Sequence, residues 1–234
     1  MAEADPAIQI PARQAAIATP AFAIRLNAFL RVRPFVSTEE LRYYLNGVRI
    51  EANPDGGAVC VATDGHRMGV CRDADGLVLS PVTVRIFREI AAWKPEYKLF
   101  GSPWLVGMMT SETNGFIAIV HPQQDENGED TAAHAIARVE DCALRVGRAF
   151  VDGRYPEWRK VIPTNATSGQ ARTLNADYVK SFATKKNTTA TIVGANPEAP
   201  QLVCIDGDPD FFGVLMPVRA ARGPAIPSWL TPAA

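Results

Sequence analysis

The chain has 234 residues, with 24 Lys plus Arg against 25 Asp plus Glu and a formal net charge of -1. Hydrophobic residues make up 47% and charged residues 21%, the ordinary globular mix, which excludes a disordered, collagen-like or coiled-coil chain. A net charge near zero excludes a uniformly basic nucleic-acid binder, but not a protein that separates basic and acidic faces.

In chain order, residues 1–20 (MAEADPAIQIPARQAAIATP) carry acids and prolines and no long apolar stretch, so they read as a flexible segment rather than a secretory signal. Residues 27–36 (NAFLRVRPFV) predict a short helix weakened by Pro34. Hairpin strands are expected at 47–52 and 58–62, where β-branched and apolar residues lie between Asn-Gly and Asp-Gly turns. The pattern from Ser80 to Tyr97 predicts a helix with Ser80 as N-cap, Pro81 at the first position and Pro95 at its end. Val82, Ile86, Ile90 and Trp93 would share its apolar face.

A strand is expected at 116–120. The acidic stretch 121–142 (HPQQDENGEDTAAHAIARVEDC) reads as a mobile surface insertion, and 164–170 (TNATSGQ) as a linker. Asn175 caps a predicted helix to Lys186 with Tyr178, Val179 and Phe182 as its stripe, and a strand follows at 201–205. The tail 220–234 is rich in Pro and Ala, with one apolar knot at Trp229-Leu230. That knot reads as packed locally or unstructured, the other option being occupancy of a pocket on its own or a neighbouring chain.

A helix followed by strands thus recurs three times, over 21–72, 77–162 and 173–219. The last unit, 47 residues without a CxxC pair, is too small to bury much apolar surface alone. Its strands need an edge partner, so it should pack on the larger unit, on another subunit, or on both. Cys60, Cys71, Cys142 and Cys204 read as reduced thiols of a cytoplasmic protein, and three scattered histidines predict no metal site. No apolar run approaches the ~18 residues of a membrane-spanning helix.

Two strings and a third, shorter one are distinctive. The first is Arg42-Tyr43-Tyr44-Leu45-Asn46-Gly47-Val48, followed by Val61-Ala62-Thr63-Asp64-Gly65-His66-Arg67-Met68. The second runs from Val151 to Pro163 (VDGRYPEWRKVIP), and the third is Val214-Leu215-Met216-Pro217-Val218-Arg219. In this order they resemble the bacterial DNA polymerase III beta subunit, the sliding clamp, in a shortened form. The resemblance implies an α+β DNA clamp fold, helices packed on antiparallel sheets, with one complete clamp domain plus a half domain. Residues 21–163 correspond to the middle domain, 164–172 to a linker and 173–219 to the second half of the last domain.

The resemblance further implies a replication or repair accessory protein without a catalytic residue or cofactor. It would attract double-stranded DNA without sequence preference and act as a homo-oligomer; four such chains would supply the half-units of a full ring, and a dimer is the other option. Basic residues of the helical stretches, Arg25, Arg31, Arg33, Arg85, Arg88, Lys180, Lys185 and Lys186, would face DNA phosphates. A pocket for short apolar motifs of polymerases, loader and repair proteins would be lined by Leu45, Thr63, Gly65, His66, Arg67, Met68, Pro156, Lys160, Val161, Val214, Met216, Pro217, Val218 and Arg219. The chemistry is apt on its own terms: leucine, valine and adaptable methionine form a floor, and Arg67, Arg219 and His66 supply rim donors.

Plainer readings stand beside these. Gly47, Gly65 and Gly153 read first as turn glycines, Asp64 and Asp152 as acceptors for turn amides, and Tyr155 and Trp158 as core. His66 near Asp64 has no serine or cysteine nucleophile in a recognisable motif, and no acid cluster suggests a nuclease. The rival functions are a peptide-binding adaptor or modulator that does not encircle DNA, an enzyme of unknown class, and a degenerate clamp that binds nothing.

Overall fold

The computed structural model describes residues 18–94, 101–111, 113–163, 173–183 and 188–218. Its strands form two antiparallel sheets. The first contains β1 (Thr19–Arg25), β5 (Leu77–Val78), β7 (Trp104–Met109), β8 (Gly115–Val120) and β9 (Leu144–Gly147), in the order β5-β1-β7-β8-β9. The second contains β2 (Gly47–Ala52), β3 (Ala58–Thr63), β4 (Arg67–Asp73), β6 (Val82–Arg85), β10 (Ala190–Val193), β11 (Gln201–Ile205) and β12 (Phe211–Leu215), in the order β10-β11-β12-β4-β3-β2-β6. Four short helices accompany them: α1 (Leu26–Val32), α2 (Arg88–Ala92), α3 (Ala132–Ala137) and α4 (Ala176–Lys180).

Turn chemistry and alternation place the early strands where the sequence predicts them. At Asp55-Gly56 and Asp64-Gly65 the glycines take φ of +92° and +90°, turning β2 into β3 and β3 into β4. The 27–36 helix forms as α1 and then tightens into a 3-10 turn over Arg33–Phe35, because Pro34 cannot donate the next helical hydrogen bond. Asn175 caps α4, its side-chain oxygen accepting from the Asp177 and Tyr178 amides at 2.9 and 3.3 Å. Gly47 is no turn glycine. It opens β2, where a Cβ would press on the Val84 backbone.

Two further expectations are overturned. The stretch from Ser80 is not one helix: Val82–Arg85 forms β6, and a helix appears only at Arg88–Ala92. Val82 and Val84 pair opposite Ile50 and Val48 of β2. Their β-branched side chains suit that ladder better than a helix turn, so tertiary pairing overrides the 3.6-residue periodicity. Pro95 and Tyr97 lie outside the described residues. The acidic stretch 121–142 is not a bare surface loop either. It contains α3, capped by Thr131 Oγ1, which accepts from the His134 amide at 3.3 Å. Ala132 and Ala135 are buried in the cluster of Trp104, Val106 and Ala118.

Asp130 ties that segment down by accepting from Arg25 at 2.7 Å, from the Trp104 indole N–H at 3.0 Å and from the Gln123 amide at 3.1 Å. Burial alone would raise the Asp130 carboxyl, but these donors together hold it below the ordinary carboxylate range.

The third unit finds its edge partner in β4. Strand β12 lies antiparallel to it, with Phe212 opposite Val70, Gly213 opposite Gly69 and Val214 opposite Met68. The opposed glycines are required by close approach: a Cβ on Gly213 would collide with the Phe182 ring, and one on Gly69 with Phe35. The rings of Phe35 and Phe182 meet over this gap, 4.8 Å between centroids, with Phe211 6.0 Å from Phe35. The small unit thus shares one core with α1 and the larger sheet.

Candidate functional site

The joint between β4 and β12 opens at one end into an apolar cleft of about 270 Å³. Its floor is Leu45, Met68 and Val214, all buried, continuous with Val59, Val61, Tyr155 and Trp158 beneath. Val161 and Met216 form an open lip, 47% and 38% exposed. Ten residues predicted from sequence line this one cleft: Leu45, Thr63, Gly65, His66, Arg67, Met68, Pro156, Val161, Val214 and Met216.

Each wall has a local cause. The β3–β4 turn is held by Asp64, whose Oδ1 accepts from the His66 and Arg67 amides at 2.9 and 3.0 Å, while Oδ2 pairs with the Arg67 guanidinium at 2.9 Å. Thr63 Oγ1 accepts from the Gly65 amide at 3.0 Å and donates to the Arg67 carbonyl at 2.8 Å. Gly65, at φ +90°, lets the Arg42 side chain lie against the turn. Arg42 grips Glu39 through two bonds of 2.7 and 2.6 Å, which hold the Glu39 carboxyl below its usual range.

The Met216 amide donates to the His66 carbonyl at 2.8 Å, tying the strand end to that turn. From the other side, Tyr178 of α4 stacks on His66, 6.1 Å between centroids, and lies 4.8 Å below the Arg67 guanidinium. The small unit therefore supplies both a wall and a buttress. The opposite wall is the 3-10 turn Trp158–Val161. Tyr155 O–H donates to the Val61 carbonyl at 3.3 Å, and burial pushes that phenol above its ordinary value. The Trp158 indole N–H donates to Glu51 at 3.2 Å.

Three expected wall residues stand elsewhere. Lys160 pairs with Glu157 and lines a neighbouring depression with Arg49, Glu51 and Arg159, because the 3-10 turn carries it away from the cleft. Pro217 and Val218 run past the cleft, the Val218 amide donating to the Thr173 carbonyl at 2.8 Å. Arg219 lies outside the described residues. Sequence reasoning missed Arg42, Tyr44, Glu157 and Trp158, which also line the cleft. All four sit inside the quoted strings, so adjacency was the available signal.

The basic residues divide. Arg25 pairs with Asp130 at 2.7 Å and Asp75 at 3.6 Å, its guanidinium 3.8 Å from the Trp104 ring centroid. Arg31 pairs with Asp208 at 2.9 Å and lies 3.5 Å over Phe211, its side chain only 10% exposed. Between them is a hollow of about 460 Å³ that also carries Asp73, Asp75, Asp208 and Asp210. Burial raises the Asp73 carboxyl. Arg33, Arg85, Arg88 and Lys180 are exposed. Lys185 and Lys186 lie outside the described residues.

No group of three or more His, Cys, Asp or Glu among the described residues could hold a metal ion. The four cysteines are free. Burial pushes the Cys60 thiol well up and that of Cys71 to about 12, which keeps both protonated and poorly nucleophilic at neutral pH. No helix among the described residues is long and apolar enough to cross a membrane.

The fold and the cleft define a DNA-clamp-fold protein with an open apolar site at the joint between β4 and β12. Residues 26–75 match the family model for the central domain of the DNA polymerase III beta subunit. The chain is 27% identical over 194 residues to the beta sliding clamp of Caulobacter vibrioides, covering 79% of this chain and 44% of that protein. It thus spans less than half the length of the curated relatives it matches.

Among solved structures, the Pseudomonas aeruginosa DNA polymerase sliding clamp with ligand superposes at a TM-score of 0.60 and 17% identity, covering 92% of this chain and 70% of that one. The Bartonella birtlesii clamp bound to griselimycin superposes at 0.56 and 16% identity, with 92% and 70% covered. The chain resembles part of the DNA polymerase III beta subunit, and its fold is the sliding-clamp fold.

Proposed function

We propose that this chain is a clamp-like accessory of DNA replication or repair that binds short apolar peptide motifs of polymerases, clamp loaders or repair proteins in the cleft between β4 and β12. It performs no catalytic step and needs no cofactor. The observation that carries this reading is the cleft itself. Its floor is already packed by neighbours, yet Val161 and Met216 leave apolar surface open to water, the arrangement of a preformed site for an apolar side chain. The rim cations Arg42 and Arg67 and the exposed His66 offer donors to peptide carbonyls. Titration of a fluorescent clamp-binding peptide from a polymerase, followed by anisotropy, tests it: saturable binding is expected, and none at millimolar protein would sink it.

In the same reading the protein is cytoplasmic and self-associates through open edge strands, β5 and β9 in one sheet and β10 in the other, the outer side of β6 being taken by residues 149–151 of the same chain. It meets duplex DNA through Arg33, Arg85, Arg88 and Lys180. Sedimentation showing a folded monomer at high micromolar concentration would remove the oligomer.

The neutralisation of Arg25 and Arg31 by aspartates favours a second reading, an adaptor that uses the cleft without encircling DNA. Retention on circular but not linearised plasmid selects the ring; peptide binding without retention selects the adaptor.

A further inference from the structure

The chain leaves the cleft at its lip and its last described residues run past it. Met216 is part of its lip, and two residues later Val218 still exposes apolar surface. The following residues, 219–234 (RAARGPAIPSWLTPAA), lie outside the described residues, and their only concentrated apolar run is Ile226-Pro227-Ser228-Trp229-Leu230. We propose that this run of the same chain docks in the cleft and competes with outside peptides. The proposal rests on the reading of the cleft as a peptide site and names a ligand for it.

Three observations support the match. The first is chemical: residues 223–234 carry no Asp, Glu, Lys or Arg, and the lip they would cover is Val161 and Met216. An indole is the side chain that gains most by covering such a surface, because it buries a large apolar area at little conformational cost. The second is backbone preference. Pro224 and Pro227 restrict themselves and the residues before them to extended conformations, which suits an open groove and lowers the ordering cost of binding.

The third is reach. Trp229 lies eleven residues beyond Val218. Such a span extends to roughly 36–40 Å and averages about 17–20 Å as a coil, while the cleft wall begins at Met216. Folding back closes a loop of about ten residues, a modest entropic cost, and gives the tail an effective concentration of millimolar order.

The test uses a fluorescein-labelled peptide of residues 224–231 (PAIPSWLT) against the full chain, the W229A chain and a chain ending at Arg219. The expected result is apparent affinity roughly 5–10-fold tighter for W229A and for the shortened chain than for the full chain, the factor that an internal competitor at about 1 mM effective concentration gives when its intrinsic Kd is about 0.1–0.25 mM. Met216→Glu in the shortened chain abolishes that binding. Equal affinity for the full and W229A chains overturns the proposal, as does a Trp229-dependent dimer, which would put the tail in a second copy. If a polymerase-derived clamp-binding peptide binds all three chains equally and PAIPSWLT binds none, the tail proposal alone fails. If neither peptide binds any chain, the peptide reading fails and the tail proposal with it.

Discussion

At the residue scale, the cleft separates side chains that hold the fold from those free to meet a ligand. Met216 is on the free side: its backbone is tied to His66 while its side chain is part-exposed. Met216→Glu should therefore change stability by less than about 0.5 kcal/mol yet weaken peptide binding more than about tenfold, because the carboxylate would have to be buried; denaturant melts and anisotropy titrations on one preparation check both. Gly65 sits on the structural side. At φ +90° against Arg42, Gly65→Ala should cost about 1–3 kcal/mol, read as a lower urea midpoint.

Asp130 gives a pH prediction. Its folded-state value is depressed, so the stability it confers is present above the ordinary carboxylate value near 4 and is lost as pH falls through the lower folded value. Asp130→Asn should cost about 2–3 kcal/mol at neutral pH and remove that part of the acid-side decline, visible in thermal melts between neutral pH and pH 2. The sequence marked 121–142 as acidic but could not disclose that one of its aspartates points inward at Arg25 and Trp104.

At the element scale, strands bounded by Asx-Gly turns were legible in sequence, and the four predicted runs became β2, β3, β8 and β11. The helices were less so. Val82–Arg85 satisfies helical spacing and strand propensity equally, and only the partner strand β2 decides between them. The coupling of α4 to the cleft was invisible for the same kind of reason, since Tyr178 reaches His66 and Arg67 across more than a hundred residues. Phe182→Ala tests that coupling. Removing a ring packed on Phe35 and Phe211 should cost about 3–5 kcal/mol and should loosen β12 from β4. Hydrogen exchange should then rise along Phe211–Leu215 before it rises in β2 and β3, and peptide affinity should fall with it.

At the scale of the whole molecule, the charge distribution bears on DNA. The exposed cations among the expected DNA-facing set are Arg33, Arg85, Arg88 and Lys180. Four phosphate contacts would give log Kobs against log salt a slope near -3.6 for one chain, a weak, salt-sensitive attraction suited to sliding rather than site recognition. Alanine at Arg33, Arg85 or Arg88 should each flatten the slope by about 0.9 at unchanged stability. Arg31→Ala should lower stability and leave the slope alone, because that guanidinium is engaged by Asp208 and Phe211. Fluorescence titrations of a random-sequence duplex over a salt series would measure both.

By itself the sequence determined the turns, the four strands β2, β3, β8 and β11, the third unit's need for a partner, and the strings from which the cleft is built, because turn chemistry and alternation reside in neighbouring residues. The tertiary structure alone decided which edge the third unit takes, that opposed glycines leave room for Phe35 and Phe182, and which arginines are left free. Those outcomes depend on groups far apart in the chain: Arg25 meets Asp130 over 105 residues and Arg31 meets Asp208 over 177. No local pattern carries a charge's eventual partner, and that partner settles whether an arginine faces solvent or a carboxylate.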